Sequence, residues 1–147
     1  LSKGLSAPSG SLLCGKNEFI EKARFNRKAL GGGMRQSGIL AAAGIVALNE
    51  MPKKIINDHQ NASTLAKGLN AISGISIDLD KVKTNIIYFK LDHSKIDSVT
   101  LINSMLKKNI KFFELGPNWF RLVTHAGINE EDIDHVLIQF KDLFSKI

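Results

Sequence analysis

The sequence is poor in cysteine and has no long apolar run, which excludes two common classes of protein. Its one cysteine, Cys14, cannot form an internal disulfide, so the chain is typical of a reducing compartment and we expect a cytoplasmic protein. No apolar run approaches the roughly 20 residues that cross a bilayer, and we expect neither a signal peptide nor a membrane partner. With 147 residues, 44% of them hydrophobic, the chain can form one ordinary domain, or a small domain and part of another.

The charge and the histidines also exclude partners rather than identify one. Lys and Arg number 20 against 14 Asp and Glu, but the basic residues are scattered among apolar ones at helical spacing, which is typical of solvated faces. We therefore expect no nucleic-acid partner. His93 and His135 stand alone, so no spacing typical of metal ligands exists and we expect no metal site. His59, on an apolar stripe, and His125, at a strand end, are more typical of structural roles.

Glycine divides the first part of the chain into short elements. GSLLCG at 10–15 predicts a short buried strand, in which Cys14 would be a small buried side chain. Asn17 is predicted to cap a helix, NEFIEKARFNRKAL, that ends at the glycines 31–33. A second helix follows from Met34, and its many small residues predict that another helix or backbone segment lies close against it.

From Pro52 onward the pattern indicates a small α+β domain. Pro52 marks either a kink or the first turn of a helix, PKKIINDHQNASTLAKGLNAI. After Gly74, the stretches ISIDL, NIIYFKL, IKFFEL and NWFRLVTH are strand-like, and SKIDSVTLINSMLKKN indicates an amphipathic helix. The last helix is predicted to follow Asn129, a capping residue succeeded by acidic ones. The apolar stripe of the Pro52 helix comprises Ile55, Ile56, His59, Ala62, Leu65, Ala66, Leu69 and Ile72.

The first candidate for chemistry is Lys3, in the turn LSKGLSAPSGS. A lysine acts covalently only as the free amine, next to a carbonyl such as the aldehyde of pyridoxal phosphate. The small neighbours in this turn would let a cofactor approach, and the scarcity of charges around the lysine would favour the amine form. A solvated lysine without a chemical role is the alternative that the residues leave open.

Two arginines are candidates for binding anions. Arg35 follows three glycines in GGGMRQ, where backbone N–H groups and a helix N-terminus could meet a phosphate. A C-cap between two helices is the alternative, and we favour it on these residues alone. Arg121 lies in NWFRLVTH, where strand alternation places Trp119 and Arg121 on one face and Phe120 on the other. Such an arginine suits bidentate carboxylate binding, and a surface ion pair is the alternative.

These stretches occur together in one known family. LSKGLSAPSGSLL, followed by RKALGGGMRQSGILAAAGIVAL and much later by RLVTH, closely resembles the C-terminal part of the low-specificity L-threonine aldolases, pyridoxal-phosphate (PLP) enzymes of the aspartate-aminotransferase-like fold type I. The resemblance runs from Leu1 nearly to the end of the chain and includes DHQNA. It implies an α/β fold of PLP-dependent transferase type I, in which residues 1–50 end the large PLP-binding domain and residues 51–147 form the small α+β C-terminal domain.

The resemblance implies roles for four residues. Lys3 matches the catalytic lysine that carries the cofactor covalently. Arg121 matches the arginine that binds the α-carboxylate of the substrate. Arg35 matches an arginine that reaches the cofactor phosphate of a neighbouring subunit, and Lys28, in NRKAL, matches a lysine near that shared substrate site. Shared sites imply a homo-oligomer, and we expect a tetramer.

The implied activity is that of a PLP-dependent aldehyde-lyase of amino-acid metabolism, which splits L-threonine or L-allo-threonine into glycine and acetaldehyde. Members of the family are much longer than this chain, and the part that precedes Leu1 in them supplies the residue stacked on the cofactor and the catalytic histidine. We therefore expect this chain alone to be inactive. The alternatives are another fold-type-I lyase, a serine hydroxymethyltransferase-like enzyme, or a non-catalytic α+β interaction domain.

Overall fold

The chain divides into two compact units, residues 1–53 and residues 54–147, in a computed structural model that describes residues 1–146. The first unit contains a 3-10 turn (Lys3–Leu5) and two helices, α1 (Asn17–Ala29) and α2 (Gly38–Glu50). Both helices predicted in this part of the sequence are confirmed, but α2 begins at Gly38 and not at Met34. Within residues 1–146 no helix is both long and apolar enough to span a membrane.

The predicted strand over residues 10–15 is wrong. This segment has irregular backbone, and the described residues of the first unit contain no strand with which it could pair. An unpaired strand leaves its N–H and C=O groups without partners. Leu12 and Leu13 are 60% and 62% exposed, and Cys14 is an exposed free thiol rather than a buried side chain. An apolar run between glycines is therefore not by itself a sign of burial.

The predicted N-cap of helix α1 is wrong by one residue. Lys16, not Asn17, occupies the N-cap, and α1 has no side-chain cap because a lysine ammonium cannot accept a bond from the helix N–H groups. No residue of α1 is buried, and Phe19 and Phe25 are 51% and 75% exposed. The helix therefore gains little stability from packing within residues 1–53.

The predicted close approach of a helix or backbone segment to α2 is not found at Gly44, where the neighbour is a side chain. Gly44 and Ala47 are the buried residues of α2, and a Cβ atom at Gly44 would lie 3.1 Å from Cδ1 of Leu1. The start of the chain therefore packs on Gly44, where a larger residue would displace it. Most of the other side chains of α2 are exposed, including the apolar Ile39 and Ile45.

The second unit consists of an antiparallel sheet and three helices. Helix α3 (Pro52–Asn70) has Pro52 as its first residue, where the fixed φ and missing N–H cost nothing, so the first-turn interpretation is confirmed. The strands lie in the order β1-β2-β4-β3, and every pair is antiparallel. The remaining bounds are β1 (Ile75–Ser76), a 3-10 turn (Leu79–Lys81), β2 (Ile86–Leu91), α4 (Ser98–Leu106), β3 (Phe113–Gly116), β4 (Trp119–Val123) and α5 (Glu130–Ser145).

The predicted cap of α5 is confirmed in detail. The Asn129 side chain accepts a bond from the Asp132 N–H at 2.9 Å, and the Asp132 carboxylate accepts one from the Asn129 N–H at 2.9 Å. This reciprocal capping box satisfies two backbone donors that would otherwise lack partners.

One face of the sheet and helices α3, α4 and α5 contribute to a single hydrophobic core. At its centre Phe89 stacks on Phe120 with ring centroids 4.8 Å apart, and Phe140 meets Phe89 edge-on at 6.1 Å. The predicted stripe of α3 is wrong at Ile56, which is 60% exposed. Nine residues, about two and a half helical turns, separate Ile56 from the buried Leu65, so the two side chains point in opposite directions.

Candidate functional site

Lys3 stands on a strained turn of the first unit. Its φ is +66°, in the left-handed region that costs a non-glycine residue about 1–3 kcal/mol. The N–H of Ser6 donates to the C=O of Lys3 at 2.8 Å, and the N–H of the buried Ala7 donates to the C=O of Leu1 at 3.1 Å. The turn therefore fixes the backbone of Lys3 while its side chain remains exposed.

The amine of Lys3 is not covered by a carboxylate or by bulky neighbours. No Asp or Glu within residues 1–146 forms an ion pair with it, and no acidic residue precedes Glu18 in the chain. The residues on either side are Ser2 and Gly4. A carbonyl compound could therefore approach Nζ without displacing an ion-pair partner or a large side chain.

The glycines 31–33 form the C-terminal end of α1. Gly31 has φ +83°, and its N–H donates to the C=O of Lys28 at 3.1 Å. The N–H of Gly32 donates to the C=O of Arg27 at 2.8 Å. Together these two bonds make a Schellman motif. The C-cap interpretation is therefore confirmed, and these two amides are not free to bind a phosphate.

Lys28 and Arg35 lie on either side of this glycine turn. A Cβ atom at Gly33 would lie 2.9 Å from Nζ of Lys28, so the glycine leaves room for the ammonium group. Arg35 is exposed on the turn before α2, next to Gln36, which has φ +51°. Neither cation has an ion-pair partner in the described part of the chain. Both are therefore available to an anion.

Arg121 belongs to the second unit and lies on the sheet face opposite the core. The predicted separation of Arg121 from Phe120 onto opposite faces of β4 is confirmed. It pairs with Tyr88 of β2 on one side and with Phe113 of β3 on the other, so the three residues lie side by side across adjacent strands. The guanidinium carbon is 5.9 Å from the centroid of the Phe113 ring, within the range of a cation–π contact. Arg121 is half-buried.

The guanidinium of Arg121 lacks a partner that it needs. Its Nε–H is buried without a hydrogen-bond acceptor, and no carboxylate within residues 1–146 forms an ion pair with it. A buried donor without an acceptor costs about 1–3 kcal/mol, so an acceptor from outside these residues would relieve that cost. A carboxylate fits because it accepts two parallel N–H bonds from the guanidinium. Among residues 1–146 the surface ion pair, the alternative from the sequence, is not formed.

Sequence reasoning missed Phe113 and Tyr88 as neighbours of Arg121. Tyr88 stands 33 positions before Arg121, and Phe113 lies on a separate strand joined to β4 by a short turn. Strand pairing brings them together, and no local pattern specifies which strands pair. Both had a weak signal, because each is an aromatic residue at an exposed position of a predicted strand.

Asp58 was also missed, because it lies outside the predicted apolar stripe of α3. It is 3% exposed and lines a cavity of about 280 Å³ together with Lys54, Asn61 and Glu130. Its C=O accepts a bond of 2.6 Å from the buried hydroxyl of Thr124, which ties α3 to the end of β4. In the described part of the chain no three His, Cys, Asp or Glu side chains come together as metal ligands would.

Solved structures share this fold at low sequence identity. Alanine aminotransferase from Pyrococcus furiosus matches 90% of this chain and 36% of its own, with a TM-score of 0.62 and 17% identity. A mutant of C-DES with glycine covalently linked to the PLP cofactor matches 72% of this chain and 28% of its own, with a TM-score of 0.58 and 20% identity. The predicted fold class, the α/β fold type I of PLP-dependent enzymes, is confirmed.

The sequence comparison then identifies the family. The profile of the family described as beta-eliminating lyase matches residues 1–92, and the chain belongs to that family. The chain is 40% identical over 145 residues to probable low-specificity L-threonine aldolase 2 of Arabidopsis thaliana, covering 98% of this chain and 41% of the relative. It is 34% identical over 146 residues to low specificity L-threonine aldolase of Escherichia coli K12, covering 99% and 42%. The chain thus spans about two fifths of the length of these curated relatives.

Proposed function

We propose that this chain is the C-terminal portion of a PLP-dependent threonine aldolase, a lyase that splits L-threonine or L-allo-threonine into glycine and acetaldehyde. The observation that carries the proposal is the identity of 34% to 41% with relatives named low-specificity L-threonine aldolases, over 96% to 99% of this chain. The exposed amine of Lys3 and the unpaired Nε–H of Arg121 support it independently.

The residues around Lys3 fit PLP, which carries an aldehyde and a phosphate. When bound, PLP draws electrons away from the bonds at Cα of an amino acid. Lys3 offers an exposed primary amine with no ion-pair partner in the described residues, on a turn with small neighbours. It would hold the cofactor through Nζ. The turn would fix the backbone position from which this side chain extends.

Arg121 would bind the α-carboxylate of the amino acid. Once a shift of the surrounding side chains exposes Nε, its N–H and a neighbouring Nη–H would donate to the two carboxylate oxygens in parallel. Two such contacts fix the orientation of the substrate as well as its position, which lowers the entropic part of the barrier. Because β4 is paired on both sides, the sheet holds the backbone of Arg121 in place.

Arg35 and Lys28 would serve a neighbouring subunit. Both are exposed cations, and an arginine fork matches the oxygens of a phosphate. In this proposal Arg35 contacts the cofactor phosphate of another subunit, and Lys28 lies near the substrate site there. Shared sites require a homo-oligomer. The tetramer and the cytoplasmic location remain predictions.

The proposal assigns residues 1–50 to the large PLP-binding domain and residues 51–147 to the small domain. The large apolar residues exposed in the first unit support this assignment, because exposed apolar side chains in such number are typical of a region that packs against further protein. They include Leu12, Leu13, Phe25, Leu30, Ile39 and Ile45. We expect the chain alone to be inactive and refer below to the full-length protein, meaning this chain joined to the segment that precedes it in the relatives.

An assay of products tests the proposal. The full-length protein, loaded with PLP, should convert L-threonine to glycine and acetaldehyde without added tetrahydrofolate. A requirement for folate would instead indicate a serine hydroxymethyltransferase-like enzyme. The name of the family favours a second candidate, β-elimination, which would convert threonine to 2-oxobutanoate and ammonia. Absence of any spectral change with PLP would indicate a non-catalytic α+β interaction domain.

A further inference from the structure

The outer face of the sheet places aromatic rings on both sides of Arg121. Tyr88, Arg121 and Phe113 are direct neighbours across β2, β4 and β3. Phe113 is 68% exposed and Tyr88 is 48% exposed, so neither ring belongs to the core. Large aromatic side chains on a solvent-facing sheet surface have no role in stabilising the interior, so they invite a functional explanation.

We propose that Phe113 is a positioning residue for substrate binding, which orients the Arg121 guanidinium for the α-carboxylate of the amino acid. The inference rests on the proposed function, because it needs Arg121 to bind that carboxylate. Its direct support is the distance of 5.9 Å from the Arg121 guanidinium carbon to the Phe113 ring centroid. Within residues 1–146, Phe113 is the one aromatic residue in cation–π contact with Arg121.

A ring over the guanidinium acts before the substrate arrives. An arginine side chain has several rotatable bonds, and fixing them on binding costs entropy. The attraction between the cation and the ring favours one arrangement of the side chain in the free protein, so less freedom is lost when the carboxylate binds. The ring also cannot accept an in-plane N–H bond as a carboxylate does, which leaves the guanidinium edge open to the substrate.

The buried Nε–H of Arg121 shows why the conformation of this side chain matters for substrate binding. In the structure no solvent reaches this donor and it has no acceptor, so a carboxylate can bond to it only after the surrounding side chains shift. An arginine that swung out to solvent would hydrate the same group. Phe113 therefore limits how far the guanidinium has to move before the substrate supplies the missing acceptor.

The test measures glycine binding to the PLP-loaded full-length protein by calorimetry, alongside the KM for L-threonine. Phe113→Leu keeps an apolar side chain but removes the ring. A contact of this kind at an exposed site corresponds to a change in Kd of about two- to fivefold. We expect glycine to bind that much more weakly, the KM for L-threonine to rise by a similar factor, and PLP binding to stay unchanged. Phe113→Tyr, which retains a ring, should restore the affinity.

Two further variants show whether Phe113 acts through Arg121. In an Arg121→Leu background, Phe113→Leu should cause no additional loss of glycine binding, because the cation is gone. Trp119→Leu is the matched control: Trp119 is another exposed aromatic residue on the same face of β4, and its effect should be the same with or without Arg121. Because Phe113 is 68% exposed, its replacement leaves no cavity in the core and the variant should fold.

The outcomes separate this inference from the function on which it rests. If Arg121→Leu weakens glycine binding and Phe113→Leu does not, the positioning role is overturned while the substrate role of Arg121 stands. If Phe113→Leu causes an equal loss with and without Arg121, Phe113 does not act through the arginine and the inference is also overturned. If neither single variant affects glycine binding, the assignment of Arg121 fails as well.

Discussion

Replacing Arg121 by leucine should weaken amino-acid binding far more than cofactor binding. Leucine retains apolar bulk beside Phe113 but removes every N–H donor of the guanidinium. The cofactor is held elsewhere in this account, by Lys3 and, through its phosphate, by Arg35. The α-carboxylate of the amino acid would therefore lose its partner while PLP would keep its own.

The magnitude follows from the state of Arg121 in the structure. A hydrogen bond to a charged group contributes about 1.5–3 kcal/mol, which is about a 10- to 150-fold change in Kd. The Nε–H has already lost its hydration in the structure, and a carboxylate that reaches it after a shift of the surrounding side chains supplies its missing acceptor. We therefore expect the upper part of this range, an increase of about 100-fold in the Kd for glycine.

Calorimetric titration of the full-length protein with glycine measures this change, and a separate titration with PLP provides the control. Arg121→Lys keeps the positive charge but lacks the planar fork, so its Kd should fall between those of the wild type and Arg121→Leu. A Kd for glycine that stays within about twofold of the wild-type value in Arg121→Leu would refute the reasoning. Parallel losses of glycine and PLP binding would also contradict it, because they would indicate general damage to the site.

Two further predictions concern the second unit. Thr124→Val removes the buried hydroxyl that donates to the C=O of Asp58 at 2.6 Å, so the free energy of unfolding should fall by about 1–3 kcal/mol. Unfolding in urea can be followed by the fluorescence of the single tryptophan, Trp119. An unchanged unfolding midpoint would contradict this prediction. The backbone N–H of Thr100, bonded to the Asp97 carboxylate at 2.7 Å, lowers the pKa of Asp97. A carboxyl group whose pKa is lowered in the folded state stabilises that state at pH values above its unfolded pKa of about 3.9. This stabilisation is lost as the pH falls through the folded-state pKa. Asp97→Ala should therefore reduce hydrogen-exchange protection of the Thr100 amide near neutral pH, and the difference from wild type should vanish in strong acid; a difference that persists there would argue against the assignment.

The sequence predicted those parts of the site that depend on local periodicity. Alternation along NWFRLVTH correctly placed Arg121 on the face opposite Phe120, because successive strand residues point to opposite sides. Proline at the start of α3 and Asn129 before α5 were read correctly, because both act through their own backbone and nearest turns. Features of this kind need no knowledge of the rest of the fold.

Features that depend on distant partners could not be predicted in the same way. The ring beside the Arg121 guanidinium is that of Phe113 on the neighbouring strand, and the pairing of β3 with β4 determines this contact. The error at residues 10–15 has a related cause. An apolar run becomes a buried strand only when another strand or a covering surface lies beside it, and Leu12 has neither within the first unit.

The most direct test of the central claim is to locate PLP on the protein. The full-length protein is incubated with PLP, treated with borohydride to make the link to the amine permanent, digested and examined by mass spectrometry. We predict the added mass of one pyridoxyl phosphate on the peptide that contains Lys3, and its loss in Lys3→Ala. A label on a different lysine, or none in a protein that otherwise folds, would contradict the assignment of Lys3 as the residue that holds the cofactor.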